Sequence, residues 1–309
     1  MMVSRIRCNV SFGFFFVPFC AFLWLFFECA KPCKGRWLRL NLMAPFLTLV
    51  LAGCGGPPAC MEAAFERAPS GDMLPLQIAH AGGRIKGHDY SNSVEALNFW
   101  YGRGCRWFEI DFDWTSDGRL AAIHDWNAAA ERLFGDGFSG CWMTRKAFFE
   151  QPRLDGLTSI DDEGLGRWLS GHSDAVVVTD CKWANVDALA LLSVVIPESL
   201  PQLVPQIYSF EEYDQVRALG FERLILTLYR MEAEDAEVLE FAVGHQLLAV
   251  TLPEDWALGS LPKGLSEIGV PTFAHTVNDA GIFRRLRARG VHGIYTDSLC
   301  GCAEDHHDG

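Results

Sequence analysis

Nine short apolar runs recur between residues 76 and 296, and most are separated by a stretch long enough for an amphipathic helix. The runs are 76–79, 107–112, 120–123, 175–179, 203–208, 224–228, 247–252, 271–276 and 293–296; the helical stretches include 93–103, 186–196, 210–219, 233–243 and 280–289. A parallel strand is reached from its neighbour only by a connection of a dozen or more residues, so this rhythm predicts a parallel sheet covered by its crossover helices. Two architectures satisfy it, an open doubly wound sheet and a closed eightfold barrel. No glycine-rich dinucleotide fingerprint follows any run, which disfavours the first. The 256 residues beyond position 53 match a barrel domain in size. The expected fold is therefore α/β, a (β/α)8 TIM barrel. Nine runs compete for eight places, however. Only residues 114–119, with the turn-like Thr115-Ser116-Asp117-Gly118, separate the second run from the third, so these two read as a hairpin-like pair. Residues 127–172 have no strand-and-helix rhythm of their own and read as an insertion with a helix near 160–169.

The amino-terminal segment differs from the rest in charge. Its first 53 residues carry six basic side chains against one acid, a net of +5, whereas the remainder carries 20 against 38, a net of −18. A body that acidic repels nucleic-acid phosphates, so no nucleic-acid partner is expected. Residues 10–27 are uncharged and reach the minimum length of a membrane-spanning helix, although Gly13 and Pro18 interrupt them. Lys34, Arg36 and Arg39 then precede an apolar stretch, 40–52, which reads as a signal peptide. Leu51-Ala52-Gly53-Cys54 resembles a bacterial lipoprotein cleavage box, which implies cleavage before a lipid-bearing Cys54 and a protein anchored in the bacterial cell envelope, facing the periplasm or exterior. Either apolar run could instead be retained as a membrane helix. The expected organisation is a targeting segment at 1–53, a lipid-anchored, proline-containing linker at 54–75, a barrel at 76–299 and a mobile tail at 300–309. Of the 11 cysteines, Cys60, Cys105, Cys141, Cys181, Cys300 and Cys302 follow Cys54. Their spacings form no framework, so at most one or two disulfides are expected. Cys300 and Cys302 lie near His306 and His307, but an acidic chain end reads as mobile rather than as a metal site.

Ionisable residues gather where the runs end. His80 ends the first, Glu109 and Asp111 the second, His124 and Asp125 the third, and Asp180 and Lys182 the fourth. Alternate residues of a strand share a face, so Glu109 points with Asp111 and Asp180 with Lys182. Side chains at the carboxyl ends of consecutive parallel strands converge on one mouth of a barrel, where such enzymes keep their sites. Three carboxylates brought together repel one another unless a cation sits among them, and all-oxygen ligation suits one hard divalent ion, Mg2+ or Ca2+. Glu109, Asp111 and Asp180 are the expected ligands. His80 and His124 suit proton transfer near neutral pH, and Lys182 offers a fixed charge to a phosphate oxygen.

These residues resemble the glycerophosphodiester phosphodiesterase superfamily, a group of metal-dependent barrels of the phospholipase C-like type with two catalytic histidines. The resemblance rests on Ala79-His80-Ala81-Gly82-Gly83, Ser91-Asn92-Ser93 with Glu95-Ala96-Leu97, Glu109-Ile110-Asp111, Thr115-Ser116-Asp117-Gly118, His124-Asp125, Asp180-Cys181-Lys182, Thr276-Val277-Asn278 and Gly293-Ile294-Tyr295-Thr296-Asp297, in the family's order. It implies His80 and His124 as the acid/base pair, one divalent cation on Glu109, Asp111 and Asp180, and Lys182 on the phosphate. It also implies hydrolysis of a glycerophosphodiester through a cyclic phosphate. Three departures stand out. Ala81 replaces the usual Arg, which leaves phosphate neutralisation to Arg84 or Lys86, or weakens it. Ser91 replaces a carboxylate ligand, and the remaining three-ligand set with Asp180 on the fourth strand resembles the venom phospholipase D branch; His275 replaces a Trp. A lyase acting on intact phospholipid and a non-catalytic binding module remain as alternatives.

Overall fold

The structure is a computed structural model, and it describes residues 74–300. The targeting segment, the linker up to residue 73, the proposed anchor Cys54, and Cys60, Cys302, His306 and His307 lie outside the described residues. Within them the strands are β1 (Gln77–Ala79), β2 (Trp107–Trp114), β3 (Leu120–Ala121), β4 (Val176–Cys181), β5 (Leu203–Ile207), β6 (Ile225–Thr227), β7 (Ala249–Pro253), β8 (Thr272–His275) and β9 (Gly293–Thr296). Eight of them run parallel in the order β1-β9-β8-β7-β6-β5-β4-β2, and β1 also pairs with β2, which closes the barrel. β3 is antiparallel to β2, with Asp113 opposite Ala121 and Trp114 opposite Leu120. The second and third apolar runs thus form the hairpin that their short connection requires, and the remaining eight make the barrel.

The strands are buried on both faces, as barrel strands must be, and their two faces have different jobs. Outward residues such as Phe108, Ile110, Phe112 and Val177 join the large core beneath the helices. Inward, Ile78, Trp107, Val178, Val204, Ile225, Ala249, Phe273 and Tyr295 form a separate apolar cluster to which each of the eight barrel strands contributes one residue. Two positions further along each strand, on the same face, stand His80, Glu109, Asp180, Gln206, Thr227, Thr251, His275 and Asp297. Every one of these is polar. The barrel interior therefore changes from an apolar plug to a polar mouth within one step of the pleat.

The covering helices are α1 (Val94–Tyr101), α2 (Ala128–Phe134), α3 (Arg145–Glu150), α4 (Asp162–Ser170), α5 (Asn185–Val195), α6 (Glu212–Ala218), α7 (Asp235–Gly244), α8 (Glu254–Ala257), α9 (Leu261–Glu267) and α10 (Ala280–Arg287). Their starts are chemically marked: Ser93, Asp161 and Asp279 accept from the backbone N–H three residues on, at 3.2, 2.6 and 2.7 Å. The insertion holds α2 and α3 around a small core of its own, with Ile123, Trp126, Leu133, Phe134 and Phe148. Among the described residues no helix is long and apolar enough to cross a membrane. One disulfide joins Cys105, just before β2, to Cys300, with the Cα atoms 5.6 Å apart.

Candidate active site

His80 owes its position to a break in the chain. β1 stops at Ala79, and a single 3-10 turn over His80–Gly82 follows, with Ala81 in the left-handed region at φ 49°. Gly83 continues the turn at φ 89°, where a Cβ would stand 2.3 Å from the Trp100 indole; that indole donates to the Arg84 carbonyl at 2.9 Å and fixes the loop. His80 Nδ1 donates to Asp297 Oδ1 at 2.7 Å, and Asn278 donates to the other Asp297 oxygen at 2.6 Å. A carboxylate partner on Nδ1 leaves Nε2 of this buried imidazole for other work. Burial disfavours the charged ring, but the Asp297 hydrogen bond and the charges of Glu109 and Asp111 outweigh it and push His80 up to about 9.

Beside it lie three buried carboxylates. Glu109, Asp111 and Asp180 present oxygens within 4.8 Å of one another. Glu109 Oε2 accepts from the Ala81 N–H at 2.7 Å, whereas Oε1 is buried with no hydrogen-bond partner. Asp111 accepts from Asn92 Nδ2 at 2.9 Å, and its own N–H donates to Asn92 Oδ1 at 3.1 Å. Lys182 Nζ bridges the other two acids, 2.8 Å from Asp111 and 2.9 Å from Asp180. Asp180 also accepts from the Tyr208 hydroxyl and, at 2.8 Å, from that of Tyr229. The negative charge is unevenly shared. Burial and the Asp111 charge push Glu109 well above the usual carboxylate range, while Lys182 and the two histidines overcome burial and hold Asp111 well below it.

His124 completes the group from the loop after β3. Its Nδ1 donates to Asp125 Oδ2 at 2.7 Å, and Asp125 is itself held by the Asn127 and Ala129 N–H groups at 2.8 and 3.2 Å. The Tyr90 ring lies between the two histidines, its centroid 4.6 Å from that of His80 and 5.0 Å from that of His124. His275 stands 4.8 Å from His80; burial and the His80 charge lower it to about 4, so it is neutral. A groove of about 550 Å³ opens alongside, lined by Lys182, Asn185, Tyr208, Glu212 and Arg230 among others.

The geometry brings His80, His124, Glu109, Asp111, Asp180 and Lys182 to one mouth. Arg84 is different. Its guanidinium makes a two-pronged pair with Asp89 at 2.6 and 2.9 Å, because Asp89 follows it closely in the same loop. Lys86 reaches the Asp155 carbonyl at 3.2 Å. Lys182 faces the carboxylates rather than open solvent. Sequence reasoning assigned no role to Asp297, Asn92, Tyr90, Tyr208 or Tyr229. The rule of polar residues at strand ends reaches Asp297, Tyr208 and Tyr229 once it is carried past the fourth strand. Asn92 and Tyr90 sit at φ 43° and 58° in a loop that offers no periodic signal.

No family model matches the chain, and no curated protein matches it. Solved structures do. A glycerophosphodiester phosphodiesterase from Thermotoga maritima is 19% identical with a TM-score of 0.57, covering 74% of this chain and 97% of that one. One from Parabacteroides distasonis is 18% identical with a TM-score of 0.59, covering 73% and 93%. An Oleispira antarctica phosphodiesterase, solved with the product sn-glycerol-3-phosphate, is 20% identical with a TM-score of 0.57, covering 72% and 93%. The motifs and the backbone lead to the same place: this chain has the barrel fold of the solved glycerophosphodiester phosphodiesterases.

Proposed function

We propose that the protein is a divalent-cation-dependent phosphodiesterase that hydrolyses glycerophosphodiesters. The observation that carries this reading is Glu109, whose buried Oε1 has no partner and whose carboxylate clusters with those of Asp111 and Asp180. Buried acceptors are almost always satisfied, so a vacant one among three acids fits a hard cation. Glu109, Asp111 and Asp180 would hold Mg2+ or Ca2+. When bound, such an ion supplies Lewis-acid charge neutralisation at a phosphoryl oxygen. The protein's own groups do the rest. Asp297 and Asp125 fix the Nδ1 protons of His80 and His124, so each ring offers Nε2 to take or return a proton. Lys182 adds a positive charge beside Asp111 and Asp180, and Tyr208 and Tyr229 hold Asp180 in place. Replacing His80 or His124 by Ala is expected to abolish hydrolysis of glycerophosphodiesters with the fold intact by circular dichroism. Undiminished turnover would reject the assignment.

Export and lipidation at Cys54 belong to the same proposal. The Cys105–Cys300 disulfide supports an oxidising compartment. Intact-mass analysis of membrane-extracted protein tests this, and an amino terminus other than diacylated Cys54 removes the anchor.

A second reading, a lyase acting on intact phospholipid, is favoured by the tryptophans near the mouth. Trp142 and Trp183 are 55% and 66% exposed. Both are hydrogen-bonded to Trp114 at the end of β2, one through its indole N–H and the other through its carbonyl. Phosphorus NMR of the product separates the two, since the lyase stops at a cyclic phosphate.

A further inference from the structure

We propose that Arg132, carried by α2 of the insertion, binds the anionic phosphoryl group of the substrate. The proposal rests on the phosphodiesterase reading above. The need for such a group is electrostatic. The mouth collects Glu109, Asp111, Asp113, Asp125, Asp180 and Asp297, and a phosphodiester is itself an anion. The residue after His80 is Ala81. Arg84 is committed to Asp89, Lys86 to a backbone carbonyl, and Lys182 to Asp111 and Asp180.

Arg132 is committed to nothing comparable. Ala129, Ala130, Leu133 and Phe134 are buried in the core of the insertion and anchor α2, whereas Arg132 is exposed. Its guanidinium carbon lies 5.0 Å from the centroid of Tyr90, the ring that separates His80 from His124. Among the described residues it makes no ion pair and no hydrogen bond. Contact with an aromatic face orients a guanidinium without using its N–H donors. The five donors remain available, and their planar fork matches two oxygens of a phosphoryl group. Arg132 therefore stands one ring away from both histidines with its binding capacity unspent. In this arrangement Tyr90 is a positioning residue, and the insertion contributes to the site rather than merely decorating the barrel.

The test compares the full chain with Arg132→Ala and Arg132→Lys. Titration calorimetry with sn-glycerol-3-phosphate is run in saturating Mn2+, and Mn2+ binding is measured separately. Arg132→Ala is expected to weaken sn-glycerol-3-phosphate about 10- to 100-fold, the range of one charge-assisted hydrogen-bonding group, and to leave Mn2+ affinity within about twofold. Arg132→Lys is expected to recover part of the loss, because it keeps the charge but not the fork. Binding of the phosphate ester by Arg132→Ala within about twofold of the parent overturns the proposal. So does a parallel loss of Mn2+ affinity, which marks a structural role. If the parent chain itself binds no sn-glycerol-3-phosphate, the phosphodiesterase reading fails and takes the role of Arg132 with it; equal binding by parent and variant removes Arg132 alone.

Discussion

Replacing Glu109 by Gln should make the metal-free protein more stable and the metal-loaded protein less so. Glu109 Oε2 is satisfied by the Ala81 N–H at 2.7 Å, and a glutamine carbonyl retains that bond. Oε1 is buried without a partner, and burial together with the Asp111 charge disfavours the ionised group. A buried polar atom left unsatisfied costs about 1–3 kcal/mol. Glutamine puts an N–H donor in place of that orphan acceptor, on a side chain whose carboxylate in the parent clusters within 4.8 Å of those of Asp111 and Asp180. In chelator, Glu109→Gln is therefore expected to gain about 1–2 kcal/mol, or about 2–8 °C in Tm for a domain of this size. An ion at a hundred times its Kd stabilises the parent by about 2.7 kcal/mol, and the variant, with one carboxylate fewer, forgoes most of that. The order of stabilities should cross as Mg2+ or Ca2+ is added. Thermal or urea denaturation of both proteins, with chelator and across an ion titration, reads this directly. A variant less stable than its parent in chelator, or equal stabilisation of both by the ion, would refute the reasoning.

Other outcomes follow from neighbouring contacts. Gly83→Ala places a methyl 2.3 Å from the Trp100 indole on a backbone at φ 89°, and should cost about 1–3 kcal/mol while lowering turnover through the displaced His80 loop; parent-like urea stability would contradict this. Asn92→Ala removes both hydrogen bonds to Asp111 and should weaken divalent-ion binding about 10- to 100-fold by calorimetry, whereas unchanged affinity would show that Asn92 does not orient the acid. Glu95 accepts from the Thr158 N–H and hydroxyl, both at 2.7 Å, and these bonds outweigh burial and lower its pKa. A carboxylate held low in the fold stabilises above its unfolded pKa of about 4.3 and loses that contribution as pH falls through the folded value. The stability advantage over Glu95→Gln should thus be full at neutral pH and close on acidification. A difference that stays constant down to pH ~3 would show that the charge is not what matters.

The parts of this molecule that were legible in the sequence are those written in local periodicity. The apolar runs mark the strands because each strand must bury both faces, and the short connection before Leu120 excludes a crossover whatever the rest of the chain does. The acids at 109 and 111 share a face for the same reason. Contacts between distant stretches left no such mark. His80 and Asp297 meet only because β1 and β9 are neighbours in the closed sheet, 217 residues apart in sequence. Asn92 reaches Asp111 from a left-handed backbone position that no pattern announces. Arg84 looked suited to a phosphate until Asp89 folded back on it. α9 was hidden by Pro262 and Gly264, which interrupt a helical pattern that the body of the barrel nevertheless imposes.

The Cys105–Cys300 bond encloses everything from the approach to β2 to the turn after β9 in one covalent hoop, and leaves β1 outside it. Cys300 sulfur comes within 3.8 Å of the Gln77 carbonyl, so the returning chain crosses β1 like a strap over the first stave. β1 is three residues long and carries His80 directly behind it. A hoop of this size is worth about 3–5 kcal/mol to the barrel as a whole, through the freedom it removes from the unfolded chain. Reduction of this bond should therefore lower the stability of the barrel that seats His80.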